Sequence, residues 1–218
     1  MRVLAIDTTT VRGSVALLED GRVMGEVRLA TADGHSRWLL PAVEQLRQQE
    51  GRALHEMDAW AVTTGPGSFT GQRVGLATVQ GLALGTGKPC VGLSALDVLA
   101  SLVSEEGPVV AVMDAWRSEV YACLYEGGRP TIPAWVGPLA DLASLVPRRS
   151  VFVGDGAAKY RERIAELWPE ARVLEVDLYL AAALGRLAGK ALGEGQGTPP
   201  ERLRPLYLRG PVERVPVP

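Results

Sequence analysis

The chain has 218 residues, 47% of them apolar, with 23 basic against 25 acidic side chains. That length buries a real core as one large domain or two small ones, and the near-neutral balance excludes a bulk electrostatic drive toward nucleic acid. No apolar run approaches the roughly 20 residues of a membrane span, and Met1-Arg2-Val3 runs straight into a strand-like segment, so a cytoplasmic protein without membrane contact is expected.

Val3–Ile6 is a short apolar strand ending at Asp7. Ser14–Leu18 and Val23–Leu29 flank Glu19-Asp-Gly-Arg22, whose Asp-Gly pair signals a hairpin. A helix is predicted over 36–49, a buried strand over 59–63, and a second helix from about Thr70 to Leu84. Cys90–Leu93 reads as a strand, and Ser94 with Asp97 as a capping box for a helix through Val103. Cys90 and Cys123 are solitary in apolar runs and are expected as buried free thiols.

After Glu105-Glu-Gly-Pro108 the pattern restarts. Val109–Met113 is an apolar strand ending at Asp114, and Val120–Tyr125 leads into a second turn. With Asp114 set on Asp7, Leu17, Glu19, Gly21 and Arg22 fall without a gap on Leu124, Glu126, Gly128 and Arg129. A helix near Leu139–Val146, a strand at 151–153, then helix, strand and a long helix after Asp177 complete the second unit. Two duplicated units of strand hairpin plus helices predict a two-lobed α/β fold, with Asp7 and Asp114 facing each other across a cleft. The expected division is 1–104 and 105–192 for the lobes, with 193–218 as linker and docked tail. The tail carries Arg202, Arg204, Arg209 and Arg214 around Leu206-Tyr-Leu208; docking on the body is expected ahead of an RNA-contacting strip.

Between the strand at 59–63 and the second helix lies Gly65-Pro-Gly-Ser-Phe-Thr-Gly71. It lacks the Gly-Lys-Ser/Thr ending of a Walker loop. Gly71 and Gly75 lie one turn apart, as do Gly81 and Gly85, with Thr78 and Leu82 on that side. An interior glycine costs roughly 1 kcal/mol relative to alanine, so close approach of another backbone is the better reason for them than phosphate. In the preceding helix Trp38, Leu39, Leu40, Ala42, Val43 and Leu46 spread over about 200° of the circumference, more than a core-facing stripe needs. Two helices with surplus apolar surface predict a helical interface with a partner; the alternative is that they sandwich each other and the sheet.

Four segments carry a family resemblance: Ala5-Ile-Asp-Thr-Thr-Thr10, His35-Ser-Arg-Trp-Leu-Leu-Pro41, the glycine loop 65–71, and Asp114-Ala-Trp-Arg-Ser-Glu-Val-Tyr121. The first, with the duplicated architecture, resembles the acetate kinase, sugar kinase, Hsp70 and actin (ribonuclease H-like) superfamily. All four together resemble the TsaB (YeaZ) family. That resemblance implies a non-catalytic dimerisation subunit that pairs with TsaD, the subunit transferring a threonylcarbamoyl group to N6 of adenosine 37 in tRNA. It also implies that the ATPase TsaE joins the pair, that a homodimer forms in TsaD's absence, and that tRNA is met only indirectly or weakly. The residues expected at the partner interface are His35, Trp38, Leu39, Ala42, Val43, Leu46, Gly71, Val74, Gly75, Thr78 and Leu82.

The residues argue separately against chemistry of the chain's own. His35 is followed four positions later by Leu39, and the other histidine is His55, so no paired-imidazole metal motif exists. His35 reads instead as a local hydrogen-bonding residue at the start of a helix. Ser36 adjoins His35, but sequence neighbours rarely align as nucleophile and base, which leaves a glycoprotease-like peptidase a minor alternative. Where nucleotide-binding members of the superfamily carry glycine, this chain has Thr9, and Trp116 crowds the second turn. Asp7, Thr8, Thr9, Thr10, Asp114 and the Gly154-Asp155-Gly156 loop are therefore expected as a vestigial nucleotide cleft, with no cofactor. A weak or partner-completed ATP/ADP site stays open, and the main alternative is a small ATP-dependent kinase or ATPase using Asp7 and Asp114.

Overall fold

The computed structural model describes residues 1–209; Arg214 lies outside them. Two five-stranded sheets are built in the same way. In the first, β1 (Arg2–Asp7), β2 (Arg12–Glu19) and β3 (Arg22–Ala30) form an antiparallel meander, and β4 (Ala59–Gly65) and β5 (Cys90–Ser94) add parallel to β1, in the order β3-β2-β1-β4-β5. The second repeats this with β6 (Val109–Asp114), β7 (Glu119–Glu126), β8 (Arg129–Pro138), β9 (Val151–Val153) and β10 (Arg172–Leu174), in the order β10-β9-β6-β7-β8. The predicted duplication is present.

Strand alternation divides the apolar residues between three cores. Leu4, Ile6, Val15 and Leu17 face outward onto α1 (Leu39–Gln49) and α2 (Phe69–Thr86). Val3, Ala5, Ala16 and Leu18 face inward, where α3 (Ala95–Ala100) and α6 (Ala181–Gly193) lie between the sheets against Ala111, Met113, Tyr121 and Cys123. On the far side Val110, Val112 and Phe152 pack on Ala157 of α4 (Asp155–Lys159) and Ile164 of α5 (Arg161–Leu167). The layers thus run helix, sheet, helix, sheet, helix. No helix among the described residues is long and apolar enough to cross a membrane.

Several local expectations change. α1 begins at Leu39 rather than Ser36, because Pro41 is tolerated only in a first turn, where its missing N–H is not needed. The Ser94 hydroxyl caps α3 by accepting from the Leu96 N–H, but Asp97 completes no capping box: its Oδ1 accepts from the buried Tyr125 hydroxyl at 2.6 Å, and the helix stops at Ala100. The helix expected at 139–146 is a 3-10 turn, Leu139–Leu142. Asp177 does not cap α6; its side chain accepts from the Tyr179 N–H and pairs with Arg28. The first turn of α6 is instead capped across the molecule, the Ala181 N–H donating to Ser14 Oγ of β2 at 3.0 Å. Gly185 lets that helix close on Leu18, since a Cβ there would stand 2.1 Å from Leu18 Cδ1.

The gap-free match of the two hairpins is corrected. Asp7 pairs with Ser14, whereas Asp114 pairs with Val120. The second hairpin carries one more residue between the paired positions Met113 and Tyr121 than the first does between Asp7 and Ser14. Leu17 and Leu124 still correspond, both facing outward, but Met113, not Asp114, occupies the place of Asp7. With a side-chain period of two, a one-residue slip moves a residue to the opposite face. Asp114 therefore points outward to α4 and does not face Asp7.

Candidate functional site

The cleft end of β1 is built from Asp7, Thr8 and Thr9, all buried. Asp7 Oδ1 accepts three hydrogen bonds, from the Thr9 N–H (3.1 Å), the Thr9 hydroxyl (2.7 Å) and the Thr63 hydroxyl of β4 (2.6 Å). Its Oδ2 has no partner, and burial pushes the carboxyl above the ordinary aspartate range despite those donors.

The glycine loop closes onto this turn. The Ser68 N–H donates to Thr9 O at 2.7 Å, and the Thr8 hydroxyl donates to Gly71 O at 2.8 Å. A Cβ at Gly67 would stand 2.2 Å from Thr9 O, one at Gly71 2.0 Å from Thr8 O, and one at Gly75 2.4 Å from Thr8 Oγ1. Backbone approach is thus the reason for these glycines, and the approaching segment is the chain's own β1–β2 turn. A phosphate cradle needs free N–H groups. Here those of Thr9, Ser68, Gly71 and Gln72 are taken by Asp7, Thr9 O, Ser68 Oγ and Ser68 O. These four donors are not free for a phosphate tail.

The second lobe is closed in the same manner. A Cβ at Gly154 would stand 2.2 Å from Val112 O, and one at Gly156 2.7 Å from Met113 C. Asp155 Oδ1 accepts from the N–H groups of Asp114 (3.3 Å) and Gly156 (2.9 Å), and burial pushes its carboxyl up against those two donors. Asp114 is held by Lys159 at 2.7 Å and accepts from the Trp116 N–H. Thr10 is tied into its own lobe: its hydroxyl bonds the Arg12 backbone, and its carbonyl meets His35 Nε2 at 2.7 Å. The Trp38 indole N–H donates to His35 Nδ1 at 3.0 Å, so Nδ1 accepts and Nε2 carries the proton that Thr10 O receives.

His35 is therefore a buried tie between the β1–β2 turn and the start of α1, not an interface residue. Trp38 lies over Gly13, where a Cβ would come within 2.3 Å of its ring. Leu39, Ala42, Val43 and Leu46 are buried against the first sheet, and Gly71 and Gly75 against Thr8. These six are removed from the expected partner surface, because one lobe's own sheet already covers them. Val74, Thr78 and Leu82 are half-buried and border what remains open. That open face comprises Ala77, Gly81, Leu84 and Gly85; Leu84 is 60% exposed, and a Cβ at Gly81 or Gly85 would meet nothing. Val74 to Gly87 contains no charged residue. Leu84, Ala77 and the exposed Phe69 were missed from the sequence, although an uncharged stretch of that length was its visible signal. Among the described residues no three His, Cys, Asp or Glu side chains are grouped to hold a metal ion.

The chain is similar to known proteins along nearly its whole length. Residues 25–174 match the family model described as TsaD, tRNA N6-adenosine threonylcarbamoyltransferase. The tRNA threonylcarbamoyladenosine biosynthesis protein TsaB of Escherichia coli is 34% identical over 225 residues, 97% of this chain and 96% of that one. YeaZ from Pseudomonas aeruginosa superposes with a TM-score of 0.82 at 34% identity, over 95% of this chain and 99% of its own. The ROK hexokinase of Thermus thermophilus (TM-score 0.54, 14% identity, 89% of this chain and 100% of that one) shares the two-lobed actin-like fold. Sequence likeness along nearly the whole length, on that fold, places the chain in the TsaB family of tRNA threonylcarbamoyladenosine biosynthesis proteins.

Proposed function

We propose that this chain is a non-catalytic subunit that binds the transferase TsaD, with the ATPase TsaE joining the pair, for threonylcarbamoyl transfer to N6 of adenosine 37 in cytoplasmic tRNA. The observation that carries the reading is the uncovered face of α2. Ala77, Gly81, Leu84 and Gly85 form a smooth, uncharged strip on the outside of the molecule, and glycines that cost helix stability without any internal contact are explained by a partner helix lying close. The same strip serves a homodimer when TsaD is absent.

The turns at both lobes support a subunit without its own turnover, because the N–H groups of Thr9, Ser68, Gly71, Asp114 and Gly156 are spent within the chain. An ATP or ADP bound by this subunit would need groups from the partner. The mechanism is then conformational: contacts made only with the competent form of TsaD shift it toward that form by the difference in contact energy. Copurification with TsaD followed by a tRNA threonylcarbamoylation assay, with and without this chain, tests the reading. Loss of modification when the chain is omitted is the expected result. Micromolar magnesium-ATP binding and turnover by the isolated chain would return it to the kinases.

A further inference from the structure

At the start of α2 the surface changes character. Phe69 is 51% exposed and stacks on Tyr207 of the tail, 41% exposed, with ring centroids 5.1 Å apart at 30°. The Arg73 guanidinium lies 3.8 Å from the Phe69 centroid, and its Nε donates to the Tyr207 hydroxyl at 2.9 Å. Two residues on, Arg209 donates to Ala115 O at 3.1 Å and pairs with Glu119, fastening the tail to the β6–β7 turn of the other lobe. Tyr207 and Arg209 are at most about 7 Å apart along the backbone, so one short stretch of tail joins the stacked rings of the first lobe to that turn of the second.

The turn presents Trp116, 65% exposed, and Arg117. Trp116, Arg117 and Ser118 hold φ of +62°, +54° and +61°, a run of left-handed backbone that non-glycine residues avoid and that is retained where the surroundings or the function require it. Neither Arg73 nor Arg117 has a carboxylate within salt-bridge distance among the described residues. Asp114 and Glu119, the acids flanking the turn, are taken by Lys159 and Arg209.

We infer that Phe69, Tyr207, Arg73, Trp116 and Arg117 form a platform for an unpaired RNA segment. Exposed aromatic faces and guanidinium planes are what splayed bases stack on, and unpaired arginines beside them receive the phosphates. A paired helix keeps its base faces inside, so the ligand class is single-stranded. The platform differs in kind from the uncharged strip further along α2, which fits a protein helix. On a chain of net charge −2 its positive charge is local, giving binding by stacking at one place rather than general attraction. The inference rests on the tRNA reading above and adds direct contact by this subunit.

The test uses the full chain, alone and with TsaD, and fluorescence anisotropy with a labelled RNA stem-loop and a fully paired RNA duplex. Trp116→Ala and Arg73→Ala should each weaken stem-loop binding about tenfold and leave the weaker duplex binding nearly unchanged. Arg73→Ala should also lower the salt slope by about 0.7 for the lost phosphate contact. Trp116 is mostly in solvent, so its variant keeps the fold, which thermal unfolding confirms. Stem-loop affinity unchanged in both variants, or equal losses on stem-loop and duplex, overturns the inference. So does loss of TsaD association at unchanged RNA affinity, which would make the platform a protein hot spot. A wild-type chain that never sediments with TsaD sinks the scaffold reading while leaving the RNA measurement on the isolated chain intact.

Discussion

Asp7 and Asp114 close corresponding strands of the two lobes yet lie on opposite faces of their sheets. Asp7 shares the inner face with Ser14 and bonds Thr63, and Asp114 shares the outer face with Val120 and bonds Lys159. A pair of carboxylates converging on one metal-bound phosphate would need both on the cleft side. The slip separates them: Asp7 Oδ1 is held by Thr9 and Thr63 while its Oδ2 has no partner, and Asp114 is held by Lys159.

The buried carboxyl of Asp7 makes stability depend on pH. Burial raises its folded-state value above the unfolded value of about 3.9, so between the two values the native state binds more protons than the unfolded one. Stability therefore falls as pH rises through that window. Asp7→Asn keeps an acceptor for Thr9 and Thr63 without the buried charge. We expect the variant to gain about 1 kcal/mol or more over wild type at pH 8, with the advantage shrinking toward pH 4, and tRNA modification with TsaD to stay largely intact. Urea midpoints at pH 4, 6 and 8 measure it; a gain independent of pH, or a loss at pH 8, contradicts the assignment.

Glycines on the two halves of α2 should behave oppositely. Gly71→Ala drives a Cβ to 2.0 Å from Thr8 O and should cost about 2 kcal/mol; Gly75→Leu should prevent folding rather than merely block association. Gly81→Ala meets open space and should stabilise the isolated chain by about 0.5–1 kcal/mol. Denaturant midpoints of the purified variants decide, and equal effects at Gly71 and Gly81 would contradict the packing account.

Charge placed on the uncovered strip should separate association from folding. Ala77→Glu and Leu84→Glu are expected to weaken TsaD or self-association by about a hundredfold or more, because a carboxylate would be buried without a partner. Their unfolding free energies should change by only about 0.5 kcal/mol, as for other surface changes. Sedimentation velocity on the variants reads the first effect and thermal unfolding the second. Trp38→Asp is not a usable probe, since the indole bonds His35 and covers Gly13.

The cap that β2 supplies to α6 should be measurable. Ser14→Ala leaves the Ala181 N–H without its acceptor inside the molecule and should cost about 1–2 kcal/mol. Hydrogen exchange should quicken first in the opening turn of α6. Uniformly faster exchange, with the start of that helix no different from the sheets, would mean that the bond is not holding the helix in place.

The sequence by itself determined most of the elements, their order and the duplication, because apolar periodicity and turn chemistry are local. Val3–Ile6, the Asp-Gly turn at 20–21 and the restart at Val109 were legible without any partner. So was the missing lysine of the glycine loop. It did not decide the register of the second hairpin, since Val-Val-Ala-Val-Met-Asp reads the same under a one-residue shift until its partner strand is known. Nor did it decide which apolar residues of α1 and α2 face outward: Leu39 and Leu40 are alike in type, and only the sheet beneath them buries the first and leaves the second in solvent. Tertiary structure alone brought Thr63 to Asp7, Ser14 to α6 and Tyr207 to Phe69, contacts made across long loops whose closure no local pattern encodes.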